Sequence, residues 1–188
     1  MHAIVNGLRE RPGGRVEIEL DGAAWRMVPL EAAVRCSLAV GLELDEQRLE
    51  RELQRLDALA RAARALVKTD RPRAAIAERL ERAGVELDVT REVLGTLERA
   101  GVLDDRRFAA RRAEHLAAKG WGDGAIRADL ERQGVDVELA AEALEGLDPE
   151  QERARALAAG GRSARWLAAR GFDEGSIESA VVRFAEEA

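Results

Sequence analysis

The spacing of apolar residues changes once along the chain, from a period of two to a period of three or four. Between Arg15 and Leu20 polar and apolar residues alternate, as they do in a half-buried β-strand. Turn-forming glycines stand on both sides, with Gly13 and Gly14 before the alternation and Gly22 after it. The pattern predicts a small antiparallel β meander and a short connecting helix, with strands near residues 3–9, 15–20 and 23–28 and the connector over residues 29–38.

From residue 45 onward the apolar positions recur at helical spacing. Leu49, Leu53 and Leu56 fall on one stripe of a long amphipathic helix. Gly84 and Gly101 then follow two further stretches with the same spacing, and a glycine after the last apolar position is typical of a helix C-terminus. The pattern predicts three helices in the segment that ends at residue 103.

The same arrangement returns twice further along the chain. A leucine is followed four residues later by glycine and then by an apolar residue at three places, Leu80-Gly84-Val85, Leu130-Gly134-Val135 and Leu167-Gly171-Phe172. The repetition predicts a mainly α fold of three tandem three-helix repeats in an elongated, curved body, with a small N-terminal antiparallel β meander. The predicted segments are residues 1–44 for the meander and connector, and residues 45–103, 104–147 and 148–188 for the repeats. Phe172 and Phe184 are expected in the core.

The composition narrows the kinds of function that the chain can have. It has 188 residues, of which 46% are hydrophobic and 35% are charged, and this balance excludes intrinsic disorder. The formal net charge of −6 has the wrong sign for a protein that holds nucleic acid chiefly by neutralising phosphates, although a local basic face is compatible with it. No apolar run is long enough to span a membrane, so we expect a cytoplasmic protein with no membrane partner.

The sequence contains no residue pattern of an active site. Cys36 stands among apolar residues, which is typical of a small buried hydrophobe and not of a reactive thiol. His2 and His115 are far apart, and the chain has neither a phosphate-binding glycine loop nor a nucleophile elbow. We therefore expect no enzymatic activity, no cofactor and no metal.

One predicted helix carries an excess of basic residues. Arg107, Arg111, His115 and Lys119 are each four residues apart, so they lie on one ridge of the helix and form a candidate surface for an anion or a partner. An ordinary solvated face has the same pattern, and the two interpretations weigh evenly. Arg112 falls on the apolar side of the helix, where it either pairs with a buried carboxylate or reaches a groove between repeats.

Two tryptophans stand beside basic residues. Trp121 follows Lys119 closely, and Trp166 lies next to Arg162 and Arg165. Aromatic rings beside cations can stack single-stranded bases, but in a repeat protein with so few aromatics they are more often part of the packing between repeats. The packing interpretation is favoured.

Four segments resemble the signature of the bacterial RecX family of regulatory proteins. They are residues 101–109 (GVLDDRRFA), 119–122 (KGWG), 126–135 (IRADLERQGV) and 167–172 (LAARGF). The resemblance extends over residues 45–188 and is weaker in the N-terminal strands. It implies three tandem three-helix repeats that bind the RecA recombinase in the groove of its filament on single-stranded DNA. It further implies that binding limits filament growth, ATP hydrolysis, strand exchange and the coprotease activity, within DNA repair and regulation of the SOS response.

Some of the basic positions of the family are not basic here. Asp123, Gly124 and Ala125 stand directly before Ile126 of the second repeat, where the family commonly has basic residues. Late in the preceding helix, Glu114 and His115 stand where the family commonly has a basic pair. The RecA filament is therefore the expected partner, with single- or double-stranded DNA as a weaker one. The expected partner-binding residues are Arg107, Arg111, Arg112, His115, Lys119, Arg162, Arg165 and Arg170.

Two other functions fit the sequence. The first is a helical nucleic-acid-binding module that acts without RecA, and the second is a scaffold of stacked helices. The salt dependence of binding distinguishes the nucleic-acid-binding module from a RecA modulator, because binding through phosphate contacts weakens steeply as the salt concentration rises.

Overall fold

A three-stranded antiparallel sheet begins the part of the chain that the computed structural model describes, which is residues 3–186, with side chains to residue 181. The strands β1 (Val5–Arg11), β2 (Arg15–Leu20) and β3 (Ala23–Pro29) pair in the order β1-β2-β3. The short helix α1 (Leu30–Arg35) follows β3 directly. The predicted meander and its connecting helix are therefore confirmed.

Three consecutive groups of three helices follow in the described residues. They are α2 (Glu46–Lys68), α3 (Arg73–Arg82) and α4 (Leu87–Arg99), then α5 (Asp105–Ala118), α6 (Asp123–Arg132) and α7 (Val137–Glu145), and finally α8 (Glu150–Ala159), α9 (Ala164–Ala169) and α10 (Glu174–Glu186). The predicted mainly α fold with three tandem three-helix repeats is confirmed.

The middle helix of each repeat ends in the same glycine turn. Gly84, Gly134 and Gly171 have φ values of 76°, 79° and 78°, which a side chain would disfavour. In each turn the N–H of the following apolar residue donates to the carbonyl of the leucine before the glycine, in the pairs Val85–Leu80 (3.1 Å), Val135–Leu130 (3.1 Å) and Phe172–Leu167 (3.3 Å). This bond satisfies a carbonyl at the helix end and fixes the direction of the next helix.

The chain divides into two compact units. One comprises Met1–Ala65 with Arg79–Thr96, and the other comprises Leu66–Glu78 with Leu97–Ala188. The divisions fall inside α2, α3 and α4, so the helices of the first repeat contribute to both units. The second and third repeats lie wholly in the second unit.

The first unit has a core between the sheet and the helices. Val16 and Ile18 of β2 and Val28 of β3 are buried in one cluster with Ala32 of α1 and Leu49 of α2. The alternation in β2 places its apolar residues on this inner face, as the sequence predicts. Packing on helices supplies the burial that a three-stranded sheet needs.

A buried ion pair also joins the elements of the first unit. Arg55 and Glu52 of α2 are both buried, and Arg55 Nη2 donates to Glu52 at 2.7 Å and to Glu31 of α1 at 2.9 Å. Arg35 Nε lies 3.0 Å from Glu52. The sequence did not predict that this pair is buried, because charged residues at helical spacing on α2 look the same as those of an ordinary solvent-exposed face. Cys36 is half-buried beside this core, and burial raises the pKa of its thiol.

The second unit contains a separate core in each of its two repeats. In the second repeat, Ala109 and Ala113 of α5 pack with Ile126 and Leu130 of α6. The alanines permit a close approach of the helices. The third repeat buries Ala154, Leu167, Phe172 and Ala180 together. Phe172 thus lies in the core as predicted, whereas the side chain of Phe184 lies outside the described residues.

Replacement of Leu130 by Ala should lower the free energy of unfolding by about 2–5 kcal/mol, because Leu130 is fully buried and the change leaves a cavity. The control is Val137→Ala in the same repeat, where the side chain is 60% exposed and the expected change is below about 0.5 kcal/mol. Urea denaturation followed by circular dichroism measures both. Equal midpoints for the two variants would contradict the assignment of Leu130 to the core.

Candidate partner-binding surface

The helix α5 carries the predicted basic ridge. Asp104 caps it, because its carboxylate accepts a hydrogen bond from the Arg107 N–H at 2.9 Å. Ala109, Ala113 and Leu116 are buried on one side of the helix. The opposite side faces solvent and carries Arg111, Glu114, His115 and, one residue past the helix, Lys119, over an axial rise of about 12 Å from Arg111 to Lys119.

Arg107 is held by several contacts, which the helical phase did not indicate. Its Nη1 and Nη2 donate to the carbonyls of Gly101 and Val102, each at 3.1 Å. Its Nε lies 3.6 Å from Asp70 Oδ2. Arg107 is half-buried, and its hydrogen bonds join the start of α5 to the loop before it. It therefore has a structural role in addition to any contact with a partner.

Arg111 is the more exposed of the two arginines near Asp70. Its side chain is 69% exposed, and Nη1 lies 3.6 Å from Asp70 Oδ2. The structure thus brings Arg107 and Arg111 together around one carboxylate. His115 and the Lys119 side chain are exposed and form no ion pair with any described residue.

Arg112 pairs with a carboxylate, which is one of the two alternatives that the sequence left open. Its Nε and Nη2 donate to Asp129 of α6 at 2.8 and 3.2 Å. The hydrogen bond from Arg112 lowers the pKa of Asp129, and the same bond raises the pKa of Arg112. The pair is partly buried and joins α5 to α6.

Arg170 joins the second repeat to the third. Its guanidinium carbon lies 4.9 Å from the ring centre of Trp121 and 4.6 Å from that of Trp166. Its Nη1 also donates to the carbonyl of Lys119 at 3.1 Å. A second cation, Arg162, lies over Trp166 at 4.8 Å and remains exposed. The two tryptophans therefore hold Arg170 between the second and third repeats, in agreement with the favoured packing interpretation.

Backbone contacts between glycine segments complete this junction. The Gly122 N–H donates to the Arg170 carbonyl at 2.8 Å, and the Gly124 N–H donates to the Gly171 carbonyl at 3.1 Å. A Cβ atom on Gly122 would overlap the backbone of Gly171 and Phe172. The KGWG and RGF segments thus meet each other, and their glycines permit a backbone approach that no other residue allows.

Two further junction residues were not predicted. Glu150 accepts hydrogen bonds from the N–H groups of Asp123 at 2.5 Å and Asp173 at 3.2 Å, at the starts of α6 and α10. Burial raises the pKa of Glu150. Arg153 donates to the Trp121 carbonyl at 2.9 Å and pairs with Asp123. In the sequence both look like ordinary charges in the first turn of a helix, so no signal distinguished them.

The predicted site residues therefore divide by their surroundings. Arg107, Arg112 and Arg170 are fixed by contacts inside the second unit. The remaining residues extend into solvent, and we call them the α5–α9 basic set: Arg111, His115, Lys119, Arg162 and Arg165. The described residues contain no group of His, Cys, Asp and Glu that could hold a metal ion. Within the same range, no helix is long and apolar enough to cross a bilayer.

Comparison with known structures places the fold among proteins built from tandem three-helix repeats. A crystal structure of regulatory protein RecX matches with a TM-score of 0.80 and 22% sequence identity, over 95% of this chain and 98% of the other. RecX from Lactobacillus salivarius matches with a TM-score of 0.65 and 17% identity, over 71% of this chain and 97% of the other.

Sequence comparison identifies the family. A family model described as "RecX, second three-helix domain" matches residues 104–144, which contain α5, α6 and all of α7 except its last residue. Regulatory protein RecX of Chromohalobacter salexigens is 33% identical over 133 residues, covering 64% of this chain and 88% of that protein. The protein of the same name from Mycolicibacterium smegmatis is 40% identical over 95 residues. The chain spans about half the length of that mycobacterial relative, 50%. The chain belongs to the RecX family of regulatory proteins.

Replacement of Gly122 by Ala should reduce the free energy of unfolding by about 1–3 kcal/mol, since the new methyl group must displace backbone atoms of the third repeat. Gly146→Ala is the matched control, because its Cβ would meet nothing closer than 3.6 Å. Thermal unfolding followed by tryptophan fluorescence reports on the junction. If Gly122→Ala melts with the control, the close approach between these glycine segments is not needed for stability.

Asp129→Asn should lower the melting temperature at pH 7, and the difference from the wild type should shrink as the pH falls below about 4. The sign follows from the lowered pKa of Asp129 in the folded state: its charge stabilises the fold above the ordinary carboxyl pKa and stops doing so as the group is protonated. Asp57→Asn, which removes an exposed partner of Arg61, should have little effect at either pH. A difference that stays constant from pH 7 to pH 3 would argue against the charge as its cause.

Proposed function

We propose that this chain is a negative modulator of the RecA recombinase that acts in the cytoplasm, in DNA repair and in regulation of the SOS response. It binds in the groove of the RecA filament on single-stranded DNA and limits filament growth, ATP hydrolysis, strand exchange and coprotease activity. Membership of the RecX family carries the proposal, through the relative from Chromohalobacter salexigens that is 33% identical and covered to 88% of its length. The action is binding alone, without catalysis or a cofactor.

The surface chemistry supports a protein partner over bare nucleic acid. The net charge of −6 gives the whole chain no attraction for phosphates, so contact with DNA depends on local groups. The α5–α9 basic set supplies exposed groups that can meet acidic side chains or phosphates. In this proposal the set contacts the filament, while Arg107, Arg112 and Arg170 keep the helices that carry it in position.

The protein should slow the hydrolysis of ATP by RecA on single-stranded DNA at concentrations below that of RecA, because one molecule in a groove or at a filament end affects many subunits. The measurement is the steady-state rate of hydrolysis with increasing amounts of the protein. An unchanged rate at equimolar protein, with intact filaments in electron micrographs, would exclude the proposal.

A pair of charge reversals tests the surface in the same assay. Arg111→Glu combined with Lys119→Glu should raise the concentration for half-inhibition by about tenfold or more, since each reversal replaces an attraction with a repulsion. Arg79→Glu combined with Arg91→Glu makes the same change of charge on α3 and α4 and should leave inhibition unchanged. Both variants need melting temperatures close to that of the wild type.

Direct binding to nucleic acid without RecA is the second candidate function, and the exposed Arg162 beside Trp166 favours it. Fluorescence anisotropy with labelled single-stranded DNA in the absence of RecA separates the two. Inhibition of RecA that disappears together with DNA binding between about 50 and 200 mM salt would support this candidate. Inhibition that persists where DNA binding has disappeared supports contact with the filament protein.

A further inference from the structure

Asp70 lies beside two arginines of the α5 ridge, Arg107 and Arg111. It stands between α2 and α3, and its Oδ2 is 3.6 Å from both Arg107 Nε and Arg111 Nη1. Arginines four residues apart on a helix are neighbours on its surface, so one anion can contact both guanidinium groups. In the described structure the carboxylate of Asp70 is the anion that lies near both.

The contacts of Asp70 are weak for a buried carboxylate oxygen. Its Oδ2 is shielded from solvent and accepts no hydrogen bond within the described part of the chain. A separation of 3.6 Å is beyond hydrogen-bond length, so Asp70 interacts with the two arginines through charge and not through hydrogen bonds. Arg111 therefore keeps its N–H donors, and its side chain is 69% exposed.

We propose that Arg111 binds a phosphate group of single-stranded nucleic acid, and that Asp70 lowers the affinity of this site by offsetting the positive charge of Arg111 and of the neighbouring Arg107. Guanidinium groups bind phosphates through paired N–H donors, and Arg111 keeps its donors toward solvent, whereas Arg107 is held by two carbonyls and contributes only its charge. A phosphate that approaches Arg111 meets the negative charge of Asp70, which offsets part of the attraction.

This inference deepens the proposed function, since it rests on the α5 ridge as a contact surface. It implies that Asp70 reduces binding to bare DNA more than binding to a partner that presents other contacts as well. The chain would then discriminate against free nucleic acid by a charge of its own.

Asp70→Asn tests the inference in an assay that needs no RecA. The probe is a fluorescein-labelled oligothymidylate of about 30 nucleotides, and the readout is anisotropy at ~50 and ~200 mM salt. The variant should bind about three- to tenfold more tightly than the wild type at the lower salt, with a smaller gain at the higher salt. Asp88→Asn is the matched control, because Asp88 pairs with the exposed Arg91 on α4 and its loss changes the net charge equally.

A second substitution shows whether the gain acts through the site. Asp70→Asn combined with Arg111→Gln should bind no more tightly than Arg111→Gln alone. The inference is wrong if Asp70→Asn binds as Asp88→Asn does, or if the gain survives the loss of Arg111.

A comparison in the wild-type background covers the case in which Asp70→Asn does not fold. Arg111 lies beside Asp70 and is 69% exposed, whereas Arg79 is an exposed arginine on α3 outside the site. Arg111→Gln should therefore weaken binding to the oligonucleotide while Arg79→Gln leaves it unchanged, and equal binding by the two variants would overturn the inference. Because this binding assay contains no RecA, a negative result in it does not bear on the proposed inhibition of RecA. In the same way, an absence of RecA inhibition does not bear on the role of Asp70 in binding the oligonucleotide.

Discussion

The second unit depends on the approach of one backbone segment to another. Gly122 and Gly124 donate to carbonyls of Arg170 and Gly171, at a separation that leaves no room for a Cβ on Gly122. Arg170 then places its guanidinium over Trp121 and Trp166. Because the backbone contact fixes the two repeats at close range, each helix of the third repeat has a defined position relative to α5. The exposed basic residues on α5 and in the third repeat therefore also have defined positions relative to one another.

This arrangement separates the distinctive residues of the chain from its exposed ones. The KGWG and RGF segments carry much of the resemblance to the RecX family, yet their side chains and glycines contact each other. The residues available to a partner, such as Arg111 and Lys119, are of types that are common on any helix surface. A sequence motif can thus identify a family through residues that pack together, while the neighbouring contact surface has no recognisable motif in the sequence.

Charge balance shapes that surface as much as the number of arginines does. Arg112 is engaged by Asp129, and Arg107 is engaged by two carbonyls and approached by Asp70. Only part of the basic ridge is therefore available to an external anion. In a protein with an excess of acidic residues, such internal pairing keeps the local attraction for phosphates moderate.

The sequence by itself determined the elements and their repetition. Alternation in β2 and the leucine-to-glycine spacing at Gly84, Gly134 and Gly171 are local signals, because period and left-handed glycine turns depend on neighbours a few residues away. Only the tertiary structure decided which charges are exposed. Helical phase placed Arg107 on an outward ridge, but two loop carbonyls and Asp70, outside α5, hold it. Glu150 caps two helices from a third, and a contact between residues so far apart in the chain leaves no periodic trace in the sequence.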